Sequence, residues 1–178
     1  FRSLMFKLLG RQRFGINVFK VREVMPCPRL TVLPKQDKDI KGVAHIRGQT
    51  ISVIDLSKAT GGKEIIPDEN SFVIIAEYNR SVQGFLVAGV ERIVTLSWKD
   101  IMPPPEGAGK SSYLTAVTEI DNEMVSILDV EKILNEISPV STDLSDDVVD
   151  ETVGDSIGDR VVMIADDSTV ARNQVKRA

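Results

Sequence analysis

Apolar and polar positions alternate with a period of two through most of residues 1–137, and the pattern is densest in residues 40–56, IKGVAHIRGQTISVIDL. Two runs of apolar and β-branched residues, 42–46 and 50–56, flank the polar interruption Arg47-Gly48-Gln49. Ile51, Val53 and Asp55 share one face of the second run, and Ser52, Ile54 and Leu56 share the other. Such a pattern predicts a β-hairpin with a glycine in its loop. Both faces are largely apolar, as in a strand inside a small barrel or sandwich. Arg47 breaks the pattern at the bend, where a planar and permanently charged fork can be presented outward.

The flanking chain continues in short strands. Residues 3–9 alternate and predict a first strand, with a turn at 10–13 leading into 14–18. Val18, Val21 and Val24 are spaced by three, yet β-branched content favours an extended or one-turn conformation for 18–24. Pro26, Pro28 and Pro34 then restrict the chain to loop or edge strand. Residues 57–62 predict a helical turn capped by glycines. A second set of strands begins at Ser71, with 72–78 and 82–87 around Asn79-Arg80-Ser81 and a further strand at 91–97. Residues 97–100 predict a capped turn, and 103–105 with 107–109 a rigid, then flexible loop. A last hairpin, 114–120 with 124–128, turns at Asp121-Asn122, and Asp129 caps a helix over 130–137 with Val130, Ile133, Leu134 and Ile137 on one face. Many short strands with little helix predict an all-β barrel or pair of barrels, each half of the body holding hairpins and a terminal helical turn.

Composition narrows the class. The chain of 178 residues is 42% hydrophobic and 27% charged, which is a soluble globular composition. No stretch approaches the roughly 18 apolar residues of a membrane span, and nothing has the form of a signal peptide. The chain opens on Phe1, so the native start is expected upstream. The single cysteine, Cys27, excludes an internal disulfide and fits a reducing cytoplasm. A net charge of −4 and 5% aromatic residues argue against nucleic acid as a partner. The charge is uneven: residues 138–159 carry seven acidic groups and no Lys or Arg, and residues 160–178 carry four basic and two acidic groups. Residues 1–137 are therefore left at +1. The acidic segment cannot offset its ordering entropy by burial and is expected to be a linker. After it, residues 161–165 form an apolar run like a central parallel strand, followed by Asp166, Asp167 and a helical pattern over 169–177.

His45 is the only histidine and Cys27 the only thiol, so no zinc cluster or Cys/His pair can be assembled. No nucleophile elbow, phosphate loop or dinucleotide fingerprint occurs. Residues 1–137 are accordingly expected to be non-enzymatic, with His45 a structural strand residue. Arg47 is either a solvated hairpin tip or a partner contact. Adjacent carboxylates such as Asp166 and Asp167 repel unless a cation sits between them, so they are either a Mg²⁺ pair or a helix N-cap.

The segment 40–56, together with GINVFKVREV upstream, resembles the CheW-type coupling proteins of bacterial chemotaxis over residues 3–137. With the acidic linker and VVMIADDSTVARNQVKRA, the whole chain resembles the CheV class, a CheW-like domain joined to a response-regulator receiver. The resemblance implies two small SH3-like five-stranded barrels packed together with a short C-terminal helix, plus a fragment of an α/β receiver. It divides the chain into a coupling domain at 1–137, a linker at 138–159 and a truncated receiver at 160–178. It implies a cytoplasmic scaffold, not an enzyme, that joins the tips of chemoreceptors (methyl-accepting chemotaxis proteins) to the regulatory domain of the histidine kinase CheA, without inserting into the membrane. Val21, Glu23, Gly42 and Arg47 match positions linked with receptor binding. Asp166 and Asp167 match the acidic residues that hold Mg²⁺ in a complete receiver. The phospho-acceptor aspartate, threonine and lysine of that site would lie beyond Ala178, so no cofactor is expected in this stretch. At His45 the family usually has asparagine. Two other readings are a phospho-acceptor switch for which the barrel is an anchor, and a generic peptide-binding barrel.

Overall fold

The computed structural model describes residues 1–78, 81–104 and 113–137, within one compact unit, Phe1–Ile137. Ten strands and two short helices follow one another: β1 Arg2–Lys7, β2 Arg13–Asn17, β3 Val21–Pro26, β4 Ile40–Ile46, β5 Gln49–Asp55, α1 Leu56–Ala59, β6 Phe72–Tyr78, β7 Ser81–Val87, β8 Gly89–Thr95, β9 Leu114–Ile120, β10 Glu123–Leu128 and α2 Val130–Ile137. Single 3-10 turns stand at Val18–Lys20 and Trp98–Asp100. The ambiguous stretch 18–24 is thus both things in series, one turn and then a strand. The first strand ends at Lys7 rather than 9, and β8 lies two residues earlier than the pattern placed it. The turn after β5 is closed by Thr60, whose hydroxyl donates to the Leu56 and Ser57 carbonyls, with Gly61 following at φ 86°.

The strands form two five-stranded sheets, in the orders β8-β1-β2-β10-β9 and β3-β6-β7-β5-β4. This corrects the division of the body into sequential halves. The second sheet takes β3 to β7, so β6 and β7 belong with the central hairpin, and the first sheet joins both ends of the body. The joint is parallel: β10 lies along β2, as β5 lies along β7.

The two sheets share one register. Gly15 stands between Met5 and Ile127, and Gly84 stands between Ile75 and Val53. A Cβ at Gly15 would meet Ser3 Oγ at 2.4 Å, and one at Gly84 would meet Val73 Cγ1 at 2.8 Å, so close strand packing demands glycine at both. Counting along β5 and β10 from these points pairs the bend Arg47-Gly48 with Asp121-Asn122, and Asp55 with Asp129. Both bends have positive φ at both residues, 50° and 80° in one and 55° and 62° in the other, the type I′ geometry that suits the strand twist. Both aspartates cap the helix that follows. Asp55 accepts from Lys58 N at 3.1 Å, and Asp129 accepts from Glu131 N and Lys132 N at 3.0 and 3.1 Å. Each sheet is also drawn round at one point: Thr31 pairs with Val43, and Met102 with Val117, by the same reciprocal backbone bonds.

A main core joins the sheets. It includes Leu4, Phe6 and Ile16 of the first, Ile54, Ile74 and Phe85 of the second, and Val130, Ile133 and Leu134 of α2. The first sheet holds a smaller separate core of Met5, Leu96, Ala116, Val125 and Ile127. Its buried Ser3, Thr118 and Arg13 occupy the positions that Val73, Ala44 and Val82 fill in the second sheet. Ser3 and Thr118 are satisfied by donating to the Ile16 and Asp100 carbonyls.

Candidate docking surface

Alternation and the two-residue bend place Arg47 at the end of the second sheet. The bend is Arg47-Gly48 alone, Gln49 being already the first residue of β5, which is tighter than the three-residue interruption in the pattern. The Arg47 side chain is 76% exposed, and its NH2 donates to Glu23 Oε1 at 2.8 Å. Glu23 comes from β3, whose pairing with β6 shifts between Val21 and Glu23. Arg22 is the additional residue of that bulge, and it faces Glu77 at 3.5 Å. The hydrogen bond from Arg47 holds the Glu23 carboxyl below its usual range, and the same bond raises the Arg47 pKa. Such an exposed pair adds little to stability. What it fixes is direction, because the guanidinium fork is held over β3 rather than free to sweep.

Val21, Glu23 and Arg47 are brought to one end of the second sheet. Val21 is half-buried and packs on the main core, so it supplies an apolar footing. Gly42 is buried, and its place is different. A Cβ there would lie 2.7 Å from the Thr31 carbonyl oxygen, with φ at 156°, so the residue secures the crossing of the Thr31 segment over β4. His45 is exposed on β4 opposite Thr50, close to the bend. Sequence reasoning missed Arg22 and Glu77. For Arg22 the signal was the adjacent Arg-Glu pair within VREV, obscured by its three-residue valine spacing.

At the end of the first sheet Arg13 is buried and donates to Glu91 Oε2 at 3.0 and 2.7 Å through Nε and NH2. Burial alone would raise the Glu91 pKa, but hydrogen bonds from Arg13 and Lys7 outweigh it and lower the pKa. Nothing in the pattern of β2 marks Arg13 as inward-facing, since only tertiary pairing puts it beside β8. Among the described residues no cluster of three metal-ligating side chains occurs, and no helix is long and apolar enough to cross a membrane. Asp166 and Asp167, the linker and the 107–109 loop lie outside the described residues.

The CheW-like domain family matches residues 2–138. The chain is 35% identical to the chemotaxis protein CheV3 of Helicobacter pylori over 96% of its own length and 58% of the relative's. It is 32% identical to the chemotaxis protein CheW of Klebsiella aerogenes, covering 71% of this chain and 78% of that one. The crystal structure of the scaffolding protein TtCheW from Thermoanaerobacter tengcongensis superposes with a TM-score of 0.69 at 25% identity, over 78% of this chain and 90% of that one.

Proposed function

This chain belongs to the CheW-like domain family, and from that membership we propose that it is a chemotaxis scaffold coupling chemoreceptors to the histidine kinase CheA. The observation that carries the reading is the end of the second sheet, where a rigid two-residue bend presents an exposed arginine aligned by Glu23 above half-buried Val21. A planar fork beside an apolar footing suits the side of a helical receptor tip bearing carboxylates or backbone carbonyls. Each sheet then corresponds to one SH3-like barrel, and the kinase's regulatory domain, itself of this fold in the family, binds through strand edges and apolar contacts. The protein acts by binding rather than by catalysis, in the cytoplasm at receptor arrays. The chain spans 58% of the CheV3 relative's length, and the receiver, with Mg²⁺ at Asp166 and Asp167, is proposed for a longer parent protein.

Co-sedimentation with receptor fragments, run beside CheA pull-down, tests the reading. The chain should sediment with receptor and retain kinase, and Arg47→Glu should lose receptor alone. Equal binding by both forms, or no binding to either partner, would overturn the proposal.

A further inference from the structure

Aromatic side chains make up only 5% of this chain, so the ones left in solvent are informative. Among the described residues Phe19 and Trp98 are the only exposed aromatics, at 83% and 74%, the others being buried or half-buried. Both stand near the end of the first sheet opposite the Asp121-Asn122 bend. Phe19 is held in the single turn Val18–Lys20, where the Asn17 side chain accepts from its backbone N–H at 3.1 Å. Trp98 lies against the ring of Phe1, with centroids 5.8 Å apart. A cleft of about 210 Å³ adjoins them, with buried Ile127 and Val130 as its apolar base and Phe1, Asn17, Lys20 and Glu131 around it. Such a space is smaller than the roughly 300–1,000 Å³ of small-molecule pockets and suits one large side chain.

Knob and hole belong to one patch. Asn17 and Lys20, on either side of Phe19 in the chain, line the cleft, yet Phe19 itself stands exposed outside it. A patch that carries both halves of a contact is complementary to itself about a two-fold axis. We propose that two copies of this chain pair about such an axis, with Phe19 of each entering the cleft of the other and Trp98 flanking it. The charges agree with this arrangement. Lys20 and Glu131, bridged within one copy, stand together on the rim, so each sign on one rim can meet the opposite sign on the other. Four aromatic side chains of about 150–250 Å² each cover less than the roughly 1,200 Å² of a standard stable interface, so the pair is weak and concentration-dependent. Each knob and each hole is used once, so assembly stops at two copies. The pairing does not rest on the receptor reading.

Sedimentation velocity over a concentration series tests it. The expected result is a sedimentation coefficient that rises with concentration and levels at a dimer. The rise should persist at about 0.5 M salt, because apolar burial is not screened. In the wild type the emission of Trp98, the sole tryptophan, should shift with the same concentration midpoint. Phe19→Ser should weaken pairing on the order of tenfold or more and leave the melting temperature unchanged, since the side chain it removes is exposed. Thr115 is an exposed residue of the cleft, so Thr115→Trp fills the hole from its rim without entering the core. It should weaken pairing as strongly while Phe19 is kept. A monomer at every concentration, growth beyond a dimer, dissociation by 0.5 M salt, or a dimer indifferent to either variant would each overturn the pairing.

Discussion

Arg47 combines exposure with restraint, and each half of that description can be removed separately. Arg47→Glu places like charges beside Glu23 at an exposed bend, so receptor binding should fall while the melting temperature changes by no more than a degree or two; binding assays beside thermal denaturation check this. Gly42→Asp behaves differently, because its Cβ would collide with the Thr31 backbone and its carboxylate would enter a buried site. It should destabilise the fold by about 2–4 kcal/mol and weaken coupling together, measured by denaturant unfolding and by kinase activation. Glu91 gives a pH-dependent case. Its folded pKa is depressed, so its contribution is present above the unfolded carboxylate value and is lost as pH falls through the lower folded value. The acid limb of the stability profile, below about pH 4.5, should therefore flatten in Glu91→Gln. An unaltered acid limb would show that the Arg13 network contributes nothing there.

At the scale of the element, α2 is a helix of eight residues, too short to persist alone, and it survives by burying one face. Ile133 is fully buried in the main core, so Ile133→Ala should cost about 2–5 kcal/mol by chemical denaturation. Asp129→Ala removes an acceptor for two backbone donors at the helix start and should cost about 1 kcal/mol. The order matters. If the cap proved worth more than the core contact, α2 would be held by its own start rather than by the sheets.

For the body of residues 1–137, the shared core and the return of the chain to the first sheet bind the halves into one folding unit. Leu4, Phe6 and Ile16 pack in the same cluster as Ile54, Ile74 and Phe85, so neither sheet can lose its neighbour without exposing a buried face. Equilibrium unfolding should show a single transition by fluorescence of Trp98 and by circular dichroism, with coincident midpoints. Two separated transitions would mean that the sheets stand alone.

The hairpin at residues 40–56, the cap Asp129, the buried face of α2 and the exposed bend at Arg47 were legible in the sequence, whereas the cap Asp55 was read only as a strand residue. Each depends on residues within a few positions of one another, where alternation, turn chemistry and capping act. The partition of strands between sheets was not legible, because β2 against β10 and β5 against β7 are parallel pairs between distant segments with no turn to announce them. The Glu23 partner of Arg47 and the buried setting of Arg13 follow from the full strand order of the two sheets, including β3 on β6 and β8 on β1. Local patterning fixes which residues form strands and which face is apolar. Which strands meet is settled only when the apolar faces are buried together, and the charges that end up side by side are a consequence of that burial.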